Sequence, residues 1–369
     1  MNTSLYEGWC VYGHVNNNLD CTCEYWTEFQ FTRSRRDPSC SVTGHAGVVT
    51  TIAVSPDGQR IASGSRDTMV FVFNTRGERI TKLAGHRDHV NQVAWSRDGM
   101  LASCSNDGSV RIWDPHTGNC IINERNSEPV MSISWSPDGK LVSCSRDSCL
   151  NIWNNDVLIY SRLFSGPDEI RDAAFGGGGM AVAKREGIEI WDREYRCEER
   201  IPGYAAHIVR WSQDGRLAFA CDDTIHLRAN KQIVDLGTHE RPVRSLAWTR
   251  DGILASGGKD GMVSIWDPAS RRKLRMLAHD FSIMCVDIDR DAARVVACCG
   301  GQITMCASKA FRLLTALRCI RTRLRILCRQ RKAVELGECT EDRAAYWVRK
   351  VCDSRVSELI LDALAHWIW

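Results

Sequence analysis

His86 and Asp107 fall in one short segment, "GHRDHVNQVAWSRDGMLASCSNDGSVRIWD" (Gly85 to Asp114). An imidazole and a carboxylate brought together could act as a general-base pair. A second candidate chemistry is zinc binding by Cys10, His14, Cys21 and Cys23, with Cys40 just beyond, since thiolate and imidazole are its usual ligands. Structural zinc sites space paired ligands two to four residues apart, and "CTC" with a scattered remainder does not keep that spacing, so no metal is expected. A third is the glycine run Gly176 to Gly179, which lacks the Lys-Ser/Thr that follows a phosphate-cradling loop. It reads instead as a wide strand connection. No cofactor is implied. Whether His86 and Asp107 are catalytic depends on whether their segment is unique in the chain.

The bulk composition sets the frame for that question. With 44% hydrophobic and 25% charged residues in 369, the chain can form one large core or two ordinary domains. A net charge of +3 is too small to imply a nucleic-acid or membrane partner for the molecule as a whole. Eighteen cysteines would suit a secreted disulfide scaffold, but "MNTSLYEGWCVYGHV" has no basic start followed by an apolar run. A reducing compartment is expected, the cytoplasm first, with the nucleus open. No stretch approaches the roughly 18 apolar residues that a membrane-spanning helix needs.

The segment is not unique. Its closing position recurs at Phe73, Trp113, Trp153, Trp191, Arg228, Trp266 and Cys306, with gaps of 40, 40, 38, 37, 38 and 40 residues. That is the period of a propeller blade. The opening Gly-His recurs as Gly44-His45, Gly85-His86, Thr238-His239 and Ala278-His279, each nine residues before Val54, Trp95, Trp248 and Ile288. Between the marks lie "SPDGQ", "SRDGM", "SPDGK", "SQDGR" and "TRDGI", Asp-Gly turns flanked by alternating strands. "HVNQVAW", "MLASCSN", "SVRIWD" and "NCIINER" read as four successive strands. One such sheet has two apolar faces and cannot bury both alone; seven stacked around an axis bury them all.

These residues resemble the WD-repeat family over roughly Gly44 to Ala307. The resemblance implies an all-β, seven-bladed propeller, and within a blade a buried hydrogen-bonded chain of His, Ser or Thr, Asp and Trp. Two blades carry the full set: His86, Ser103, Asp107, Trp113, and His239, Ser256, Asp260, Trp266. As blade-bracing residues, His86 and Asp107 are structural and no enzyme is expected. The first blade has His45, Ser63 and Asp67 but Phe73 in place of the indole; the third has Ser143, Asp147 and Trp153 but Asn126 in place of the imidazole. An N-terminal strand completing the last blade is expected at Ser39 to Thr43, in preference to Phe311 to Leu317. The resemblance further implies that the residue before each turn Asp lines the partner-binding mouth: Arg66, Asn106, Arg146, Cys221 and Lys259, with Arg185 and Cys299 at the degenerate equivalents. Four of the seven are cationic. A positive mouth suits an acidic or phosphorylated peptide, to which Arg offers paired hydrogen bonds.

Three domains are expected: an N-terminal extension over residues 1–38, the propeller over 39–308, and a basic helical extension over 309–369. From Lys309 to Lys332 there are nine basic residues, Arg321 and Arg325 among them, and no acidic one. Leu313, Leu317, Ile320, Leu324 and Leu327 recur at gaps of 4, 3, 4 and 3, the stripe of an amphipathic helix. Such a helix can dock on a partner or lay its leucines on the propeller. A further helix is expected from Thr340 as its cap, with Trp367 on its apolar side. The expected function is a non-enzymatic interaction scaffold or adaptor, a monomeric ring whose rim binds protein segments and whose tail, through Arg321, Arg325 and Trp367, docks it in a larger complex. One alternative is an RNA-binding or ribonucleoprotein subunit using the basic rim and tail. A minor one is a cullin ubiquitin ligase substrate receptor, of whose Trp-Asp-x-Arg pattern the chain retains a weakened "FNTR" (Phe73 to Arg76).

Overall fold

The computed structural model describes residues 39–126, 128–154, 157–164, 169–176, 178–289 and 294–307. The extensions, the N-terminal cysteines and histidine, Arg321, Arg325 and Trp367 lie outside the described residues, and of Cys40 the backbone is described. After β1 (Ser39–Thr43), strands come in fours. The first blade is β2 (Val49–Val54), β3 (Arg60–Ser65), β4 (Val70–Asn74) and β5 (Arg79–Leu83); the second is β6 (Val90–Trp95), β7 (Leu101–Ser105), β8 (Ser109–Trp113) and β9 (Cys120–Arg125). The third is β10 (Val130–Trp135), β11 (Lys140–Ser145), β12 (Cys149–Asn154) and β13 (Val157–Leu163); the fourth is β14 (Ile170–Gly176), β15 (Gly179–Lys184), β16 (Gly187–Trp191) and β17 (Cys197–Pro202). The fifth is β18 (Ile208–Trp211), β19 (Leu217–Cys221), β20 (Thr224–Ala229) and β21 (Gln232–Thr238); the sixth is β22 (Val243–Trp248), β23 (Leu254–Gly258), β24 (Met262–Asp267) and β25 (Arg272–Ala278). The seventh has β26 (Ile283–Ile288), β27 (Arg294–Cys299) and β28 (Gln302–Ala307). Every closing position from Phe73 to Cys306 falls in the third strand of its blade.

Each group is an antiparallel sheet in chain order, and its first strand touches the first strands of both neighbours, β2 meeting β6 on one side and β26 on the other. The ring is therefore closed, with seven blades around it. The seventh blade borrows its outer strand: β1 pairs β28 from Ser39↔Cys306 to Thr43↔Gln302, so the N-terminal strand occupies that edge as expected. Strand ends are set by the Asp-Gly turns, whose glycines (Gly58, Gly99, Gly139, Gly215, Gly252) have φ between 69° and 88°, a region costly for any residue with a Cβ.

The core lies between blades. Ile52, Ile61, Phe71 and Phe73 of the first blade pack on Val296, Cys298, Ile303 and Met305 of the seventh, while Val70 and Val72 on its other face meet Val93, Leu101 and Trp113 of the second. Second strands are buried on both faces, β7 along its whole length, which is why they carry small residues such as Ala, Ser and Cys. One expectation is corrected. Gly176 pairs with Gly179, so the glycine run is a tight hairpin turn and not a wide connection. A Cβ on Gly179 would stand 1.9 Å from the Trp191 carbonyl oxygen, and one on Gly176 2.3 Å from the Trp211 Cβ, so these two positions exclude side chains.

Candidate functional site

The four residues of the opening segment meet inside the second blade. The Trp113 Nε1–H donates to Ser103 Oγ at 2.8 Å, and Ser103 Oγ lies 2.7 Å from His86 Nε2. His86 Nδ1 is 2.9 Å from Ser109 Oγ, which donates in turn to Asp107, while Asp107 Oδ2 accepts the Arg87 N–H at 2.8 Å. The chain runs in one direction, indole to hydroxyl to neutral imidazole to carboxylate, when Nδ1 carries the proton. Burial holds His86 down at about 4. Burial alone would raise Asp107, but hydrogen bonds from Ser109 and Arg87 and the nearby His86 overrule it and hold the carboxyl at about 2. The sixth blade makes the clasp without a second hydroxyl between imidazole and carboxylate: Trp266 donates to Ser256 at 2.8 Å, His239 Nε2 is 2.7 Å from Ser256 Oγ, and its Nδ1 is 2.9 Å from Asp260. With the His86 side chain 1% exposed and both ring nitrogens engaged, the geometry braces a blade and leaves no base open to a substrate.

Departures from this clasp follow the missing residues. In the first blade His45 bridges Asp67 at 2.9 Å and Ser63 at 2.7 Å and stacks on Phe71 at 4.1 Å, with no indole beyond. In the third, Trp153 donates to Ser143 at 3.0 Å, while Asn126 Oδ1 accepts from Asn151 at 2.6 Å in place of an imidazole contact. The fourth blade substitutes an ion pair: Glu189 accepts the Trp191 indole N–H at 3.0 Å and meets Lys184 Nζ at 3.0 Å. Sequence inspection did not find this one, because Lys184 and Glu189 resemble nothing in the repeat. In the fifth, Arg228 at the closing position reaches back to Glu199 of the fourth blade.

The rim positions are set by one recurring backbone bond. Arg66, Asn106, Arg146, Arg185 and Lys259 donate their N–H to the carbonyl oxygens of Val48, His89, Pro129, Glu169 and Pro242, each just before the inner strand of the same blade, at 2.8–3.1 Å. All five thus occupy one station, the turn between second and third strands. Arg66, Arg146, Arg185 and Lys259 are exposed and Asn106 is half-buried, donated to by Asn91 at 2.8 Å. Cys221 and Cys299 do not extend the set: Cys221 lies within β19 and Cys299 is buried.

Six inner strands bulge at their second residue, Thr50, Asn91, Met131, Arg171, Arg244 and Met284. A bulge turns one side chain out of the alternation. Here it sends several toward the next blade's inner edge, where Asn91 donates to the Val130 carbonyl at 2.8 Å and Arg171 to that of Ala205 at 3.3 Å. Two cations missed in the sequence, Arg171 and Arg244, therefore join the rim. Their signal was the residue after the first Val or Ile of each inner strand. Asp88, Glu128, Glu186, Asp222, Asp223 and Glu240 occupy the neighbouring loop positions on this face, so the charge is patterned and not uniform.

Next below the bulges, polar side chains join adjacent blades. Thr51 accepts the Val93 N–H at 3.2 Å, Gln92 that of Ile133 at 3.0 Å, and Asp172 that of Val209 at 3.0 Å. Asp172 is 5% exposed and also takes a hydrogen bond from Ser132 and an ion pair from Arg210, so the third, fourth and fifth blades are tied through one carboxylate. At the junction of the last blade with the first, Asp287 accepts the Val54 N–H at 2.7 Å, and burial raises its carboxyl to about 6. Among the described residues no three metal-ligating side chains converge. No helix there is long and apolar enough to cross a membrane.

The family model described as "WD domain, G-beta repeat" matches residues 36–74, 77–114, 118–154 and 230–267, the blades with the best-preserved clasps. Telomerase protein component 1 of Mus musculus is 36% identical over 87 residues, covering 22% of this chain and 3% of that protein. THO complex subunit 3 of Arabidopsis thaliana is 34% identical over 84 residues (21% and 27%), and the ribosome biogenesis protein WDR12 homolog of Anopheles gambiae 30% identical over 136 residues (31% and 31%). The chain thus matches less than a third of the length of each of these relatives. Four matched repeats within a closed ring of seven four-stranded sheets, two of them clasped by the complete His-Ser-Asp-Trp chain, make this a protein of the WD-repeat β-propeller family.

Proposed function

We propose that the protein is a non-enzymatic interaction scaffold whose rim grips an extended, acidic or phosphorylated segment of a partner protein. The observation that carries this reading is the shared station of Arg66, Arg146, Arg185 and Lys259, to which the bulges add Arg171 and Arg244. A rigid frame that spaces guanidinium groups around a mouth suits carboxylate or phosphate, because each fork can make two parallel hydrogen bonds without reorganising. Two of the similar proteins are named for complexes or assembly, the THO complex and ribosome biogenesis, which supports a role as a complex subunit. Free thiols at Cys104, Cys144 and Cys298 suit a reducing interior, and we place the protein inside the cell, in cytoplasm or nucleus. The tail, with Arg321, Arg325 and Trp367, would anchor the ring in its assembly.

The test compares the intact chain with Arg66→Glu/Arg146→Glu/Lys259→Glu on an array of acidic and phosphorylated peptides and in affinity purification. The expected result is loss of the bound peptides at unchanged thermal stability. An unchanged set of peptides and partners refutes the rim reading. Binding to arbitrary RNA that falls steeply and uniformly with salt would favour the ribonucleoprotein alternative instead.

A further inference from the structure

The outer strands carry a repeated irregularity of their own. Ile80 of β5, Ile121 of β9 and Ile159 of β13 are each the residue bulged out of register beside the closing position. They occupy the same station in three consecutive blades, at the end of the ring where third and fourth strands turn. All three are exposed, 52%, 57% and 41%. Val157 and Leu158 continue the strip on β13, and its one cation, Arg162, is laid over the Phe164 and Trp191 rings at 4.6 and 5.1 Å. Between the first two blades the turn after β8 leans on β5, where Thr81 donates to the Pro115 carbonyl at 2.9 Å. In the fourth blade the bulge residue is Glu198, which ends the series. Isolated surface isoleucines are ordinary; one at each of three equivalent positions of consecutive blades, with Val157 and Leu158 beside the third, is a row that calls for a cover.

The chain itself runs toward that patch. Ala307, the last described residue, pairs with Arg294 at the start of β27, so β28 ends on the same end of the ring as the isoleucines, and its blade adjoins the first. Directly after it come residues 309–332, with their leucine stripe and nine basic residues. As a helix this segment would be about 36 Å long at 1.5 Å per residue. We infer that residues 309–332 of the same chain lie across Ile80, Ile121 and Ile159 as an amphipathic helix, leucines against the ring and arginines outward. This does not depend on the rim reading, and it leaves the outward arginines, Arg321 and Arg325 among them, and the segment from Thr340 to Trp369 to meet a partner.

Amide hydrogen exchange on the full chain tests it. Residues 309–332 should be protected, and both Ile80→Asp/Ile121→Asp/Ile159→Asp and Leu317→Asp/Leu324→Asp should speed their exchange at least about tenfold while strands β2 to β28 keep their protection. A benzoylphenylalanine at position 121 should crosslink to 309–332 within one chain. Exchange in that segment unchanged by either variant overturns the inference, as does a crosslink that joins two copies. If the isoleucine variant fails to fold, Leu317→Asp/Leu324→Asp carries the test, since it leaves every strand of the ring intact.

Discussion

Ser103 holds two buried polar groups at once, the Trp113 N–H at 2.8 Å and His86 Nε2 at 2.7 Å, in a site with no solvent access. Ser103→Ala changes volume by one oxygen yet orphans both. An unsatisfied buried group costs about 1–3 kcal/mol, so the loss should be about 2–6 kcal/mol. Other blades supply internal controls. Ser143→Ala orphans the Trp153 N–H alone, and Ser63→Ala orphans His45 Nε2 alone, so each should cost about 1–3 kcal/mol. In a domain of this size each kcal/mol moves the thermal midpoint by roughly 2–4 °C. Thermal and urea unfolding followed by circular dichroism should therefore rank Ser103→Ala clearly below the other two. If Ser103→Ala shifts the midpoint no further than Ser143→Ala and Ser63→Ala, the hydroxyl is not the hub of the clasp.

Stability should fall on acidification below about pH 6.5. Burial lowers the pKa of His86 to about 4, and burial lowers those of His45, His207, His239 and His279 as well. Between the unfolded value near 6.5 and the lower folded one, the unfolded chain binds protons that the fold refuses, so acid favours unfolding. Asp287, raised to about 6, acts with the opposite sign, and Asp287→Asn should steepen the acid decline of the melting temperature; a flat profile between pH 7 and 5 in both proteins would contradict this. Arg210→Met leaves the Asp172 carboxylate buried without its cation, at a cost near the low end of about 3–5 kcal/mol because Arg210 is itself partly solvated. Adding Asp172→Asn should restore most of that loss, and urea midpoints showing the double variant as unstable as the single would refute the pairing.

What the sequence determined by itself is whatever repeats along the chain. Seven closing positions and the Asp-Gly turns could be placed because each is a short-range pattern repeated at a near-constant period; the edge strand from Ser39 to Thr43 and the two complete clasps followed from the family resemblance that those repeats carry. Tertiary structure alone decided the features that arise where strands meet. Arg171 and Arg244 joined the rim through a bulge, which is a property of pairing between two strands and leaves no mark on alternation in either. The Lys184–Glu189–Trp191 clasp and the Asp172–Arg210 joint bring together side chains that no repeat position predicts, because burial makes a charge find whichever partner geometry offers. Likewise Ile80, Ile121 and Ile159 look like ordinary strand residues until the ring sets them at equivalent positions of consecutive blades at one end. Local periodicity fixes how many modules there are and which strands build them; the contacts between modules, made by residues about forty positions apart, fix what the assembled surface presents.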